Sequence, residues 1–343
     1  MQQGFIRDTI LGVILEMKVL YTCDNNYIWI MGISAISLFE NNKNLAGLEV
    51  YLLGENISDE NKLLLRTISK KYNRKINIID VPRFKIPKSI VSARWPLSAF
   101  TRLFSAQLLP DGIEKILYLD CDTIICGNIS PLENWNMEGK IFCGVKDCVG
   151  KTYKRNIGLD GNDAYINAGV LLIDLKKLKN VEMDKSIDKY MAKYEKFISY
   201  ADQDILNGIF NKETGYLPPK YDVMTIDVAH TYDEIKLLRK PVNFYNHDEI
   251  ADAVKNPKII HYTTNMLVIR PWFKNSDHPL KKEFEKYMKI SPWKDHFMGS
   301  AEFGKTGKVI KAVNILPEGI AYRVLGLVHA ELKPRYTRIK TWR

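Results

Sequence analysis

The stretch Lys115-Ile116-Leu117-Tyr118-Leu119-Asp120-Cys121-Asp122-Thr123-Ile124-Ile125 is an apolar run that ends in acid. Read as a buried strand, it sends residues i and i+2 to the same face, so Asp120 and Asp122 reach one cation while Leu119 and Cys121 turn to the opposite side and pack. Two carboxylates where a parallel strand emerges make a hard-oxygen metal site at the edge where α/β sheets bind their ligands. In isolation the pair reads more readily as turn punctuation, with Asp120 capping a turn and Asp122 starting the loop toward Gly127 and Asn128.

Upstream of it, the runs MKVLYT (17–22), LEVYLLG (48–54) and KINIIDV (75–81) alternate with a helical pattern over 57–73, in which Ser58 and Asp59 cap and Leu64, Leu65 and Ile68 share a face. Strand, helix, strand in that order predicts a parallel sheet with right-handed crossovers. Residues 96–112 read as a helix closed by Pro110 and Gly112. Downstream, 165–178 (YINAGVLLIDLKKL) reads as a strand with an early glycine and 184–198 as an amphipathic helix. Beyond about Ser276 the chain becomes helical and basic, so the expected division is a body over 1–275 and a C-terminal region over 276–343.

With 343 residues, 46% of them hydrophobic and 26% charged, the chain can bury a large core, and disorder or a fibrous fold is excluded. The net charge is +10, of which seven lie between Phe303 and Arg343, where nine basic residues face two acidic ones. The five cysteines are odd in number, and the N-terminal apolar stretch is interrupted by Glu16 and Lys18. Too short and too charged for a signal peptide or a spanning helix, it places the expected location in a reducing cytoplasm. There is no internal repeat and no low-complexity segment.

Further segments give the acid pair its context. Cys23-Asp24-Asn25-Asn26-Tyr27 follows the first strand and offers amide and carboxylate groups to a nucleobase edge and a ring to stack on it. Arg102, on the helix before the acidic strand, has a guanidinium suited to a phosphate or carboxylate. Asn167-Ala168-Gly169 sets an amide among small neighbours, and Asp202-Gln203-Asp204 gathers polar groups at a helix N-terminus. Ile260-His261-Tyr262, followed by Arg270-Pro271-Trp272, puts an imidazole and a cation on a late loop.

In this order CDNNY, SAFTRLF, YLDCDTII, NAGVLLIDL, YADQDILNGIF and IIHYTTNMLVIRPW resemble glycosyltransferase family 8 from about Met17 to Trp272. That family comprises retaining sugar-nucleotide transferases, among them bacterial lipopolysaccharide galactosyl- and glucosyltransferases and glycogenin. The resemblance implies a GT-A type nucleotide-diphospho-sugar domain, a Rossmann-like mixed α/β sheet flanked by helices, with a small helical, basic C-terminal extension. No GxGxxG fingerprint is present, which argues against a dinucleotide dehydrogenase. The resemblance further implies that Asp120, Asp122 and His261 ligate a divalent metal. An O, O, N set suits Mn²⁺ better than Mg²⁺. Asp24, Asn26 and Tyr27 look like uridine contacts of a UDP-sugar donor. Arg102, Asp147, Asn167, Asp202 and Gln203 look like contacts to the donor sugar and the reacting centre.

One departure is visible. The family's usual ending is a histidine, a short glycine-containing stretch and Lys-Pro-Trp, with the lysine on the diphosphate; here eight residues without glycine separate His261 from Arg270, and arginine replaces the lysine. Retention of configuration is compatible with a covalent intermediate or with same-face attack on an oxocarbenium-like centre. Same-face attack, with the leaving phosphate oxygen taking the acceptor's proton, is the preferred reading, although Asp202 is the better nucleophile of the Asp202–Gln203 pair.

Cys121-x4-Cys126 and Cys143-x4-Cys148 admit a structural zinc site only if four sulfurs converge; buried thiols are the simpler reading. His230, His247 and His278 read as surface or capping residues. At the C-terminus, an apolar-faced helix pattern over 320–332 precedes Lys333, Arg335, Arg338, Lys340 and Arg343, with Tyr336 and Trp342 interleaved. This suits an anionic membrane surface, nucleic acid or a solvated tail, and the membrane is preferred because lipid-linked glycans are the acceptors such transferases use. The body has no basic stripe for nucleic acid. Two functions are compatible with these features: a metal-dependent UDP-hexose transferase acting on a cell-surface glycan or lipid-linked oligosaccharide from the inner face of the membrane, or a non-catalytic sugar-nucleotide or lipid-binding protein that keeps the fold.

Overall fold

A computed structural model describes residues 16–81, 97–265, 268–296, 298–301 and 317–341. Strand β1 (Lys18–Asp24) leads into α1 (Ile28–Asn41), and then come β2 (Glu49–Glu55), α2 (Asp59–Tyr72) and β3 (Lys75–Asp80). Ser58 caps α2 by accepting from Asn61 N, and Asn73 closes it in the left-handed conformation. The segment expected as one helix over 96–112 is three short turns, α3 (Leu97–Phe100), a 3₁₀ turn (Thr101–Phe104) and α4 (Ser105–Leu108).

Strands β4 (Lys115–Leu119), β5 (Thr123–Ile125) and β6 (Phe142–Lys146) come next, then α5 (Lys151–Asn156), β7 (Ile166–Asp174), α6 (Leu175–Leu178), α7 (Met183–Tyr194) and α8 (Ala201–Phe210). The chain continues through β8 (Thr214–Tyr216), β9 (Val223–Met224), α9 (Thr225–Ala229), α10 (Tyr232–Arg239), α11 (His247–Lys255), β10 (Ile259–His261) and α12 (Lys281–Met288). It ends in α13 (Glu318–Gly326), a π-helical turn (Leu327–Leu332) and α14 (Lys333–Thr341).

Seven strands form one sheet in the order β3-β2-β1-β4-β7-β6-β8. The expected parallel register holds for β3, β2, β1 and β4, whereas β7 pairs antiparallel with both β4 and β6, so the sheet is mixed. A smaller sheet, β5-β10-β9, stands beside it and carries His261 at the end of β10.

Side chains alternate across the large sheet into two apolar layers. Val19, Tyr21, Leu117, Leu119, Val170 and Leu172 pack on one face with α1, and Leu20, Ile116, Tyr118, Leu171 and Ile173 on the other with α7 and α8. Phe284, Tyr287, Met288 and Trp293, beyond the expected division at residue 275, insert into the first of these layers. Trp293 lies against α1, where a Cβ added at Gly32 would meet its ring at 2.2 Å. Among the described residues no helix is long and apolar enough to cross a membrane.

Candidate active site

The acid pair does not lie on a strand. β4 stops at Leu119, and Asp120-Cys121-Asp122 turn between β4 and β5, with Thr123 Oγ1 donating to Asp120 O at 2.8 Å and Asp120 N donating to Gly169 O at 2.7 Å. The chain leaves one sheet and enters the other at this turn. That change of direction overrides strand alternation, yet both carboxylates still aim at one point.

His261 faces that point from β10. Its Nε2 lies 3.2 Å from Asp122 Oδ1 and 3.6 Å from Asp120 Oδ2, and one ligand atom from each of the three residues lies within 4.8 Å of the others. Atoms that share a divalent ion at roughly 2 to 2.5 Å stand about 3 to 4.5 Å apart, so the donor set fits one. On the other side of the ring, Nδ1 is 2.9 Å from Asp222 Oδ1, a carboxylate with no exposure at all. A proton held on Nδ1 leaves the Nε2 lone pair facing the acids, the arrangement that metal-binding histidines use. Gly169 opens the space: a Cβ there would meet His261 Cε1 at 2.1 Å and Asp120 Oδ2 at 2.9 Å. Burial pushes the Asp122 carboxyl up, but His261 and Arg270 beside it outweigh this and hold it down, to about 2.

Arg270 stands beside the acid pair. Arg270 Nη2 is 3.3 Å from Asp122 Oδ2 and donates to Thr264 Oγ1, while Nη1 donates to the exposed Tyr27 hydroxyl at 3.3 Å. Tyr27 and the acid pair are thus joined through one guanidinium. Asp24 spends Oδ1 on the amides of Asn26 and Tyr27 and Oδ2 on the Asn26 carboxamide, which fixes the loop. Asn25 accepts from Ser58 N and Asn61 Nδ2 and is structural.

Asp147, Asn167 and Gln203 meet at the wall of the same cavity. Gln203 Nε2 donates to Asp147 Oδ2 at 3.1 Å while its Oε1 accepts from Ala168 N at 3.1 Å, so the carboxamide is clamped at both ends. Asn167 accepts from Gly169 N at 2.7 Å, and its Nδ2 donates to the same Asp147 oxygen at 3.5 Å.

Arg102 and Asp202 do not line the cavity. The 3₁₀ turn points Arg102 inward, where it lies 2.9 Å from Asp120 Oδ1 and 3.0 Å from Asp202 Oδ2, donates to Ala168 O and covers the Tyr118 ring. This buried bridge ties the acidic turn, through Asp120, to the start of α8. Burial pushes the Asp202 carboxyl up, to about 7, against the pull of Arg102. Ahead of it Ala201 has φ of 47°, a left-handed conformation that costs a non-glycine residue of order 1 kcal/mol and sets the direction in which α8 starts.

A model of glycosyl transferase family 8 matches residues 18–276. The chain belongs to that family. This family 8 glycosyltransferase is 27% identical to the lipopolysaccharide 1,2-glucosyltransferase of Escherichia coli strain K12 over 81% of its own length and 79% of the relative's. It is 23% identical to general stress protein A of Bacillus subtilis strain 168, over 81% of the chain and 94% of the relative. The fold is that of the galactosyltransferase LgtC, solved in complex with donor and acceptor sugar analogs, with a TM-score of 0.67 at 22% identity over 80% of this chain and 96% of that one.

Several residues of the transferase's site carry no motif. Asp222 precedes a two-residue strand with no pattern around it, whereas Asp204, within the 202–204 motif, is fully buried and accepts from Tyr153 and Tyr165 hydroxyls and from Ser199 and Tyr200 amides instead of facing the cavity. Arg239 and His329 also line the cavity. His278 is buried against Tyr262, with Nδ1 accepting from Leu280 N just ahead of α12, which is the capping and not the surface alternative. All five cysteines are free, and among the described residues Asp120, Asp122 and His261 are the group of three or more metal-ligating side chains that converges.

Proposed function

We propose that the protein is a metal-dependent retaining hexosyltransferase that moves galactose or glucose from a UDP-sugar to a hydroxyl of a cell-surface glycan or lipid-linked oligosaccharide. The convergence of Asp120, Asp122 and His261 at the cavity of a family 8 chain carries this reading. These three residues would hold Mn²⁺, or Mg²⁺ less well, and the ion would supply Lewis-acid stabilisation of charge on the departing diphosphate.

The chain's own residues do the rest. Arg270 adds a second positive group beside Asp122, and Tyr27, tied to it, offers the exposed ring on which a uracil stacks. Asp147, held between Gln203 and Asn167, presents a carboxylate to donor-sugar hydroxyls, and the double clamp on Gln203 fixes its carboxamide at the reacting centre. Arg102, paired with Asp120 and Asp202, braces the acidic turn and the start of α8 beside the donor sugar. That arrangement supports same-face attack over a covalent intermediate on Asp202.

The C-terminal helix supports a membrane partner. Ile320, Val324, Val328, Leu332, Tyr336 and Ile339 are exposed along it, with Lys333, Arg335, Arg338 and Lys340 beside them. An apolar stripe edged by cations fits the inner, anionic face of a membrane, which would place the protein there as a peripheral enzyme. Trp342 and Arg343 lie outside the described residues.

The test is donor turnover. With Mn²⁺ and a panel of UDP-hexoses, slow release of UDP from one of them is expected, abolished by EDTA and by Asp122→Ala. UDP release that persists undiminished in EDTA would remove the metal, and no release from any UDP-sugar would favour a binding protein that keeps the fold.

A further inference from the structure

The far end of the cavity is lined by residues with no part in metal or donor binding. Arg239 closes α10 there, facing Tyr153 of α5, Tyr200 just ahead of α8 and His329 from the C-terminal π turn. The other two arginines of the site are neutralised, Arg102 by Asp120 and Asp202 and Arg270 by Asp122. Arg239 is different. It shares the cavity wall with Tyr200 and feels Asp147 only at longer range, and among the described residues no carboxylate lies within ion-pair distance of it. A half-buried guanidinium without a counter-charge is costly, and its planar fork suits the oxygens of a phosphate or a carboxylate.

The surroundings suit a sugar. Tyr153 and Tyr200 stand edge to face with centroids 5.4 Å apart and give an apolar wall beside the guanidinium. Burial, with help from Arg239 and Lys333, holds the His329 imidazole down, to about 4, so it is neutral and offers hydrogen bonds instead of a second charge. The helix that brings His329 is fixed in place: Thr152 Oγ1 donates to Glu331 Oε2 and Asn156 Nδ2 to Pro334 O, each at 2.8 Å. A Cβ on Gly326 would meet Leu237 O at 1.9 Å, so this helix lies directly on α10.

We propose that this end is the acceptor subsite, that it takes a sugar bearing a phosphate or carboxylate on Arg239, and that His329 of the C-terminal helix hydrogen-bonds the same sugar. The proposal rests on the glycosyltransferase reading and narrows its acceptor to an anionic saccharide.

The test uses the full chain with Mn²⁺ and whichever UDP-hexose it hydrolyses. Three acceptors are compared: a neutral methyl hexoside, its 6-phosphate and the corresponding uronate. One anionic acceptor should exceed the neutral one at least tenfold in kcat/KM, and which of the two wins identifies the group. In Arg239→Gln that ratio should fall toward one, and Arg239→Lys should recover part of it. His329→Ala should raise the KM for the preferred acceptor. Equal use of all three sugars by the wild-type protein would overturn the proposal, as would an Arg239→Gln variant that keeps the anionic preference while its KM for the donor rises. If no UDP-sugar is hydrolysed, the functional reading fails first, and calorimetry of the hexose phosphate and the uronate with wild-type protein and Arg239→Lys still decides the subsite: binding to neither overturns it.

Discussion

Asp222 acts on the site through His261. Without a carboxylate on Nδ1 the ring loses its fixed tautomer, and such supporting partners are worth 10- to 100-fold in metal affinity. Asp222→Asn should therefore weaken Mn²⁺ binding, measured by calorimetry, by about that factor while far-ultraviolet circular dichroism is unchanged. Gly169→Ala should be more severe, since its methyl falls on His261 Cε1. A variant that binds Mn²⁺ normally would show that the ring has room the structure does not show. Arg102→Leu leaves Asp120 and Asp202 without their shared cation, and a broken buried pair costs about 3 to 5 kcal/mol, so chemical denaturation should find that loss. At this scale the sequence makes Asp120, Asp122 and His261 legible, because paired acids and a lone histidine in a motif are chemistry that spacing can carry. Asp222, Arg239 and His329 reach the site through three separate segments of the chain, and nothing local to any of them marks it.

Elements explain where strand reasoning stops. Alternation along 115–125 is correct up to Leu119, and past that residue the path of the chain depends on β5 leaving to pair antiparallel with β10, a partner 134 residues on from Ile125 to Ile259. The β7 reversal is equally invisible, since a fully buried strand reads the same in either direction. Helix α9 carries a pH device of its own. Burial pushes the Asp227 carboxyl up, to about 8, although its Oδ2 accepts from Met224 N at 2.9 Å. In the unfolded chain it ionises near its ordinary value, so between about pH 4 and pH 8 the unfolded state releases a proton that the folded state keeps, and stability is lost across that window as pH rises. Asp227→Asn should flatten the fall in melting temperature between pH 5 and pH 9; an unchanged slope would assign it to other groups. The C-terminal helix shows a different phase problem. Apolar positions every four residues drift by about 40° per step on a 3.6-residue helix. The wider turn at Leu327–Leu332 takes part of that drift back, next to Pro334, which has no amide to donate. The stripe thus stays on one face where helical periodicity alone would rotate it away.

For the whole molecule, the uneven charge is the feature most plainly read from sequence: seven of ten net positive charges lie in the last 41 residues. The proposed membrane contact makes this measurable. Each cation near an anionic leaflet is worth about 1 kcal/mol, falling off within a Debye length. Arg338→Glu with Lys340→Glu should release the protein from phosphatidylserine vesicles in co-sedimentation, and salt should do the same to the wild-type chain. Sedimentation that survives both would move the contact to another surface. Val328 and His329 are neighbours in sequence, yet one is exposed on the outer stripe and the other lines the cavity. A single helix, about 10 Å across, therefore separates the proposed lipid layer from the proposed acceptor sugar. Such a wall works as a ruler. A lipid-linked glycan would have to span that thickness before its terminal hydroxyl reached the site, so the transferase would pass over the sugar next to the lipid and act on longer chains.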